Sequence, residues 1–368
     1  LVVNNEEGFN ENNVRALCAV GKTTKSKKEG YIGEKGIGFK SVFVVSSQPH
    51  IFSSGYQFCF REEQDPDVHY GFIIPYWVDA IPLIASNGYS NQTCILLPIK
   101  PQKTEIVEQE LTQIAPETIL FLKKLRAIQV IIGDEVVTNV HRVDDPRLPT
   151  TQLIAQDGKK RSYWISKTTV EVPDAVREES RSEIYTREIV LAFPLDKATL
   201  PDINVYAFLP TSSGVRSGLD FLVNADFLLS ANREQIHEDR EWNIWLRDNI
   251  SMAFWNGFTD MLDHASVRYQ AYSFIPLEKK DRIPFFESVV SDILDKLGAN
   301  EIVITDQNDR VLPSNARFAS KDLRKLLAGR VRPAQLRLTP LVADRLQTSN
   351  IQERLRGIGV RDLSKEEI

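Results

Sequence analysis

"GYIGEKGIGFKSVF", residues 30–43, decides how this chain is read: Gly33, Gly36 and Gly38 stand immediately before an apolar run of Phe39, Val42 and Phe43. Glycine permits positive φ and leaves the backbone bare, so successive N–H groups can face one anion. A helix beginning at Phe39 would add the partial positive charge of its N-terminus. Phosphate is the natural anion. Neither of the two best-known phosphate loops fits, because no Lys-Ser/Thr follows a final Gly and the G-x-G-x-x-G order is reversed. Ordinary turns share this spacing, so the surrounding chain has to decide.

Working outward, residues 10–20 place Val14, Leu17, Cys18 and Ala19 behind an Asn- and Glu-rich start, the pattern of a short Asn-capped helix. Residues 22–29, KTTKSKKE, are polar, basic and aperiodic, which suits a lid over the glycine loop or a solvated basic surface. Beyond the loop, β-branched and aromatic residues predict strands at 42–45, 50–52, 56–60 and 93–99 in an antiparallel sheet. Helical patterns follow at 105–114 and 116–125, with Pro116 in a first turn, and then a strand at 128–132. Gly133-Asp134 and the proline-bearing 143–149 mark the expected domain boundary.

A second unit should carry strands at 162–165, 168–172, 185–193, 204–209 and 219–223. Trp242, Trp245, Leu246, Ile250 and Phe254 fall at helical spacing, a core-facing stripe rather than a ligand box. From residue 283 a mixed segment follows, with helices at 285–297, 322–327, 341–346 and 351–355 and a strand at 302–305.

A chain of 368 residues is long enough for two or three domains, each with its own core. The net charge of −5, with 26% charged residues of both signs, argues against a dedicated nucleic-acid or membrane-surface module. Cys18, Cys59 and Cys94 are odd in number and lack C-x-x-C spacing, so no disulfide framework or zinc site is expected. The five histidines are scattered, and no metal ligand is assigned. No apolar run reaches membrane-spanning length and no signal sequence opens the chain, which leads to an intracellular expectation, cytoplasmic or nuclear. Leu1-Val2-Val3 reads as the inside of a strand, so the chain is expected to be a fragment.

Taken in order, NNEEGF (4–9), GKTTK (21–25), GEKGIGFKSVF (33–43) and NQTCILLP (91–98) resemble the ordered boxes of the GHKL, histidine-kinase-like, ATPases. The likeness is closest to the sacsin and NO VEIN-like branch, related to the ninety-kilodalton heat-shock chaperones. Past these boxes, FLVNADFLLSANREQI (221–236) resembles the chaperones' middle-domain segment, and FIPL (274–277) and LRGIGV (355–360) resemble later landmarks of the branch.

The fold this resemblance implies is α/β (α+β): a Bergerat-type ATP-binding α/β sandwich over residues 1–135, a middle, transducer-like mixed domain over 145–260, and a mostly helical segment over 261–368. It implies an ATP site in which Gly33, Gly36, Ile37, Gly38 and Phe39 wrap the triphosphate and Lys22, Thr23, Thr24 and Lys25 belong to the lid. Asn4, Gly8 and Thr93 would lie at the adenine, and Arg233 would arrive from the middle domain as the catalytic arginine on the γ-phosphate.

Two departures stand out. Asn4 occupies the place of the family's adenine-reading Asp, and Glu6 that of the first glycine in its D-x-G-x-G box. The family's water-activating Glu and Mg²⁺-holding Asn belong to a helix preceding Leu1, so ATP hydrolysis is expected only where that helix supplies them. Glu6, Glu7 and Glu11 are expected to be surface or helix-start charge.

The functional expectation is therefore an ATP-binding, chaperone-like module with ATP, Mg²⁺ and client proteins as partners. One alternative is a pseudo-ATPase interaction scaffold. Another is an ATP-gated nucleic-acid clamp, for which Arg324, Lys325, Arg330, Arg332 and Arg337 would supply a basic cluster.

Overall fold

Alternation along residues 50–59 builds the first sheet. The computed structural model describes residues 1–18, 39–62, 72–79, 92–177, 181–196, 200–230, 233–278, 281–320, 322–324 and 340–364. Two units are distinguished, Leu1–Ile114 with Val130–Val137, and Ala115–Gln129 with Thr138–Ile368.

The first unit holds β1 (Val2–Asn4), α1 (Glu11–Cys18), β2 (His50–Ser53), β3 (Tyr56–Cys59), β4 (Tyr76–Trp77), β5 (Thr93–Leu96) and α2 (Thr104–Thr112). The five strands pair antiparallel in the order β1-β5-β2-β3-β4. Successive side chains of a strand point to opposite faces, and β2 shows it. Ile51 packs with Val14 of α1, Phe43, Phe58 and Phe60, while Phe52 packs with Cys94. The Asn-rich start of α1 caps it reciprocally: the Asn13 N–H donates to Asn10 Oδ1 (3.1 Å) and the Asn10 N–H to Asn13 Oδ1 (2.9 Å).

The strand expected at 42–45 is instead part of a 3₁₀ helix, Phe39–Val44. There the Ser46 N–H returns to the Val42 carbonyl (2.9 Å) and Lys100 Nζ caps the Phe43 carbonyl (2.8 Å). These bonds take up carbonyls that a sheet neighbour would otherwise need.

The large sheet runs β12-β11-β13-β10-β9-β8-β7-β6, from β6 (Ala127–Ile132), β7 (Glu135–Asp144), β8 (Thr150–Ala155), β9 (Lys160–Glu171), β10 (Thr186–Pro194), β11 (Val205–Ala207), β12 (Leu209–Pro210) and β13 (Leu222–Asn224). It is mixed, because β11 and β13 pair parallel. Along β10, Ile189, Leu191 and Phe193 enter a core shared with helices, while Val190 and Ala192 enter another with Ile119, Leu120, Phe121, Tyr163 and Tyr206. Both faces of this strand are therefore covered, which explains its near-continuous apolar run.

The helical face is formed by α3 (Glu241–Asp248), α4 (Ile250–Asp263), α5 (Glu287–Gly298) and α6 (Ser349–Gly357), accompanied by short pairs β14 (Val303–Ile304) with β15 (Arg310–Val311) and β16 (Arg317–Phe318) with β17 (Arg361–Asp362). The expected stripe from Trp242 to Phe254 is buried against the core at Trp242, Leu246, Ile250 and Phe254, but it lies on two helices broken at Asn249. Gly257 of α4 allows the helix to approach the sheet: a Cβ there would lie 2.8 Å from Phe193 and Ser166.

Mixed α/β architecture is thus what the chain adopts. Residues 145–149 form the turn of the β7–β8 hairpin, with the Asp145 N–H bonded to the Thr150 carbonyl (2.9 Å). The core that begins at Trp164 continues to Val360, so residues beyond 261 share it with the strands before them.

The helix expected over 116–125 is only a 3₁₀ turn, Pro116–Ile119. Arg142 Nη1 takes the Leu120 (2.5 Å) and Leu122 (3.1 Å) carbonyls, which would otherwise accept from a continuing helix. Asp144 orients Arg142 through Nε (2.8 Å) and accepts from the Thr151 hydroxyl (2.7 Å). Burial pushes the Asp144 carboxyl up, but Arg142 and Thr151 outweigh it and hold the group below its ordinary pKa. Such a carboxylate contributes stability above its unfolded pKa and loses that contribution as pH falls through the lower folded value. Denaturant midpoints measured from pH 7 down to pH 3 should therefore fall on the acid side, and Asp144→Asn should flatten that limb. An unchanged limb in the variant would remove Asp144 as its source.

Candidate functional site

At one end of the first sheet, strand register places Asn4 of β1 opposite Thr93 of β5. Their side chains share a face, since directly opposed residues of an antiparallel pair do. Thr93 is 1% exposed, and its hydroxyl bonds to Ser53 Oγ of β2 at 2.6 Å. Ser53 Oγ in turn accepts from the Phe9 N–H (2.8 Å), tying the loop after β1 onto the sheet. Gly8 lies in that loop at φ +88°, and a Cβ there would come within 1.9 Å of Ser54 Oγ. Glycine is required at this position by the adjoining serine turn of the protein itself. The half-buried Asn4 accepts a long bond from the Glu6 N–H (3.4 Å).

Three residues expected at the adenine, Asn4, Gly8 and Thr93, are therefore brought together, and Ser53 joins them. Nothing in the spacing of the sequence marked Ser53. Its signal was a hydroxyl following Ile51 and Phe52 at the end of a strand, in HIFSSG, beside a tight turn.

Phe39 opens the 3₁₀ helix and packs on Phe60 with ring centroids 5.7 Å apart. Next to it, Lys40 Nζ lies 4.3 Å from the Phe60 ring centroid and donates to the Phe72 carbonyl. Burial lowers the Lys40 pKa, with the nearby Cys18 opposing that shift. Lys22, Thr23, Thr24, Lys25, Gly33, Gly36, Ile37 and Gly38 lie outside the described residues. Glu11 forms a helix-start pair with Arg15 (2.6 Å), and Glu6 and Glu7 are exposed.

Arg233 belongs to the second unit. It sits in a tight reversal where Leu229 bridges Ile236, the Ser230 N–H bonds to the Gln235 carbonyl (3.0 Å), and the Arg233 N–H returns to the Ser230 carbonyl (2.9 Å). Its φ of +63° is left-handed, uncommon for a residue with a side chain. The half-buried guanidinium donates from Nη2 to the carbonyls of Ala207 (2.9 Å) and Leu209 (3.1 Å), and from Nε to that of Pro210 (3.5 Å). Burial lowers its pKa from the usual arginine value. Phe208, between two of the accepting residues, is also left-handed (φ +66°), with its N–H held by Asn224 Oδ1 (2.7 Å).

Among the described residues, no group of three or more His, Cys, Asp or Glu side chains is placed to hold a metal ion, and no helix is long and apolar enough to cross a membrane. Arg324, the described member of the expected basic cluster, is ion-paired with Asp306 (2.5 Å), while Lys325, Arg330, Arg332 and Arg337 lie outside the described residues.

Residues 1–72 match the Sacsin domain family. The chain is 32% identical over 279 residues to Protein NO VEIN of Arabidopsis thaliana, an alignment covering 67% of this chain and 9% of that protein. The chain thus spans about a tenth of the length of that relative. An alignment of this length cannot be confined to the first 72 residues, so the likeness runs on into the second unit. Together the two matches support placing the chain with the sacsin and NO VEIN-like branch.

Proposed function

We propose that this chain is an ATP-binding, chaperone-like module of the GHKL type. Nucleotide would close the lid over residues 22–25, and Arg233 would complete the phosphate site. The observation that carries the reading is the joining of Asn4, Gly8, Ser53 and Thr93 at the end of one sheet, next in sequence order to the glycine loop.

The donor set fits a purine edge. The Asn4 amide offers one acceptor and two donors, which match an exocyclic amino group and a ring nitrogen without the charge an aspartate would add. Ser53 and Thr93 hold the sheet end that positions Asn4, and a water on either hydroxyl would extend the recognition. Gly33, Gly36, Ile37, Gly38 and Phe39 would present backbone N–H groups to phosphate, with Lys22 and Lys25 as point charges. Mg²⁺ held by the phosphate oxygens would neutralise charge on the triphosphate.

Calorimetric titration with a non-hydrolysable ATP analogue tests the reading, run beside a thermal melt. Gly36→Val should weaken binding tenfold or more at an unchanged melting temperature, because a side chain would occupy phosphate space or demand an unfavourable φ. Unchanged affinity in the folded variant would remove the phosphate-loop assignment.

A second reading, a pseudo-ATPase scaffold presenting protein-binding surfaces, is favoured by Asn4 and Glu6 in place of the family's Asp and Gly. Binding of the ATP analogue with no ATP hydrolysis by the full-length protein would select it.

A further inference from the structure

The base of the reversal that carries Arg233 is bonded to the side chain of Asn243. Asn243 of α3 is fully buried, and its amide makes three bonds to the two arms of the reversal. Its Oδ1 accepts from the Leu228 N–H (2.8 Å), while its Nδ2 donates to the carbonyls of Leu228 (2.9 Å) and His237 (2.8 Å). The arms meet directly at the same level, with the His237 N–H on the Leu228 carbonyl (3.1 Å). The preceding residue of the helix, Trp242, fixes the entry to the same segment by donating from Nε1 to the Asp226 carbonyl (2.8 Å). Beyond the clamp, the chain must place Arg233 in left-handed backbone with its guanidinium at Ala207, Leu209 and Pro210.

We infer that Asn243 is a positioning residue: its amide fixes the spacing and register of the two arms and so sets where the Arg233 guanidinium is presented. The inference rests on the proposed role of Arg233 at phosphate and adds the residue that places it. Asparagine is suited to the task because a planar amide offers one acceptor and two donors from one rigid group. Neither leucine nor aspartate can replace all three bonds. A misplacement of about 1 Å in a group acting on a transferring phosphoryl can lower the rate about a hundredfold, so a small shift at the base of the reversal is enough to be read in turnover.

The test uses the full-length protein and the variants Asn243→Asp, Asn243→Ser, Arg233→Ala and the double variant Asn243→Ser/Arg233→Ala. Two readouts are taken, steady-state ATP hydrolysis and amide hydrogen exchange over residues 226–240. The expected results are a kcat lowered tenfold or more with KM within twofold for Asn243→Ser, and faster exchange at Leu228, Arg233 and His237 with β10 unchanged. The double variant should be no slower than Arg233→Ala alone, since a residue acting only through Arg233 loses its effect when Arg233 is gone. Asn243→Asp, which keeps the acceptor and loses the donors, should show the same pattern, with a thermal melt to establish that it is folded.

Equal multiplication of the losses in the double variant, or faster exchange throughout the unit, would reduce Asn243 to a core residue and overturn the inference. So would unchanged exchange across the reversal. Wild-type turnover in Arg233→Ala, or no turnover in the wild-type protein, would instead defeat the phosphate role of Arg233, and with it any catalytic consequence of the clamp. Exchange over residues 226–240 would still decide whether Asn243 sets the reversal.

Discussion

Asp226→Ala should lower the unfolding free energy by about 3–5 kcal/mol, the cost of removing one partner from a buried ion pair. Asp226 faces two arginines, Arg187 Nε at 2.7 Å and Arg181 Nη2 at 3.4 Å, and the Arg181 side chain is 3% exposed. The Arg181 guanidinium also lies 4.2 Å from the Trp242 ring centroid, so the cation is sandwiched between a carboxylate and an aromatic face. With the carboxylate gone, two guanidinium groups remain close together in a desolvated place, and the like-charge repulsion adds to the lost attraction. Asp226→Asn, which keeps the shape and an acceptor, should cost less than the alanine variant. Guanidinium unfolding of the wild type and both variants, compared at constant slope, measures the effect. A loss below about 1 kcal/mol in the alanine variant would place the pair among those surface bridges that contribute little.

Asp226 also shows why the sequence reading reached some features and missed others. It lies in NADFLLSANREQI, a stretch legible by its likeness to a known segment, yet neither Arg181 nor Arg187 could be assigned to it from spacing, because each is some forty positions away. Asn4, Gly8 and Thr93 were legible for the same reason as Asp226's segment, being carried by ordered motifs, whereas Ser53 has no motif and is found only through strand register. Period-2 alternation located β2, β3 and β5: β2 sends Ile51 and Phe52 into two different cores, β3 sends Phe58 into the first, and β5 sends Cys94 and Leu96 into the second.

Turn chemistry was less informative. Pro146 and Pro149 mark a reversal whether it joins two domains or two strands, and here it joins β7 to β8. The residues flanking it hid two strands of the large sheet, because Glu135 to Asp144 mixes charged with apolar residues and Thr150 to Ala155 mixes uncharged polar with apolar ones. Periodicity likewise sees the buried stripe but not the break at Asn249, whose side chain donates to the Trp245 carbonyl (2.8 Å) between α3 and α4. For Arg233, the likeness of its segment to a known one gave no hint of the three backbone carbonyls that hold its guanidinium, because those come from a turn more than twenty residues earlier.

Those carbonyls shape what Arg233→Ala is expected to do. If Arg233 acts on the γ-phosphate, the variant should leave ATP binding within a few-fold but lower turnover about a thousandfold or more, as removal of an arginine finger does. The rate loss arises because the guanidinium stabilises charge that develops only as the phosphoryl group transfers. In the conformation described, its donors serve Ala207, Leu209 and Pro210, so reaching phosphate requires exchanging neutral carbonyls for the anionic γ-phosphate. Charge-assisted bonds are roughly twice as strong as neutral ones, which favours that exchange once nucleotide is present. Burial works against the cation in the carbonyl cage, and phosphate would offset that cost. Arg233→Lys should rescue poorly, because an ammonium cannot reproduce the planar fork. The decisive measurement is single-turnover hydrolysis by the full-length protein, wild type and both variants, with a thermal melt to separate the lost hydrogen bonds from the lost chemistry. If the wild type hydrolyses ATP and Arg233→Ala keeps its rate, the carbonyl cage is the whole role of Arg233, and the scaffold reading takes the place of the ATPase.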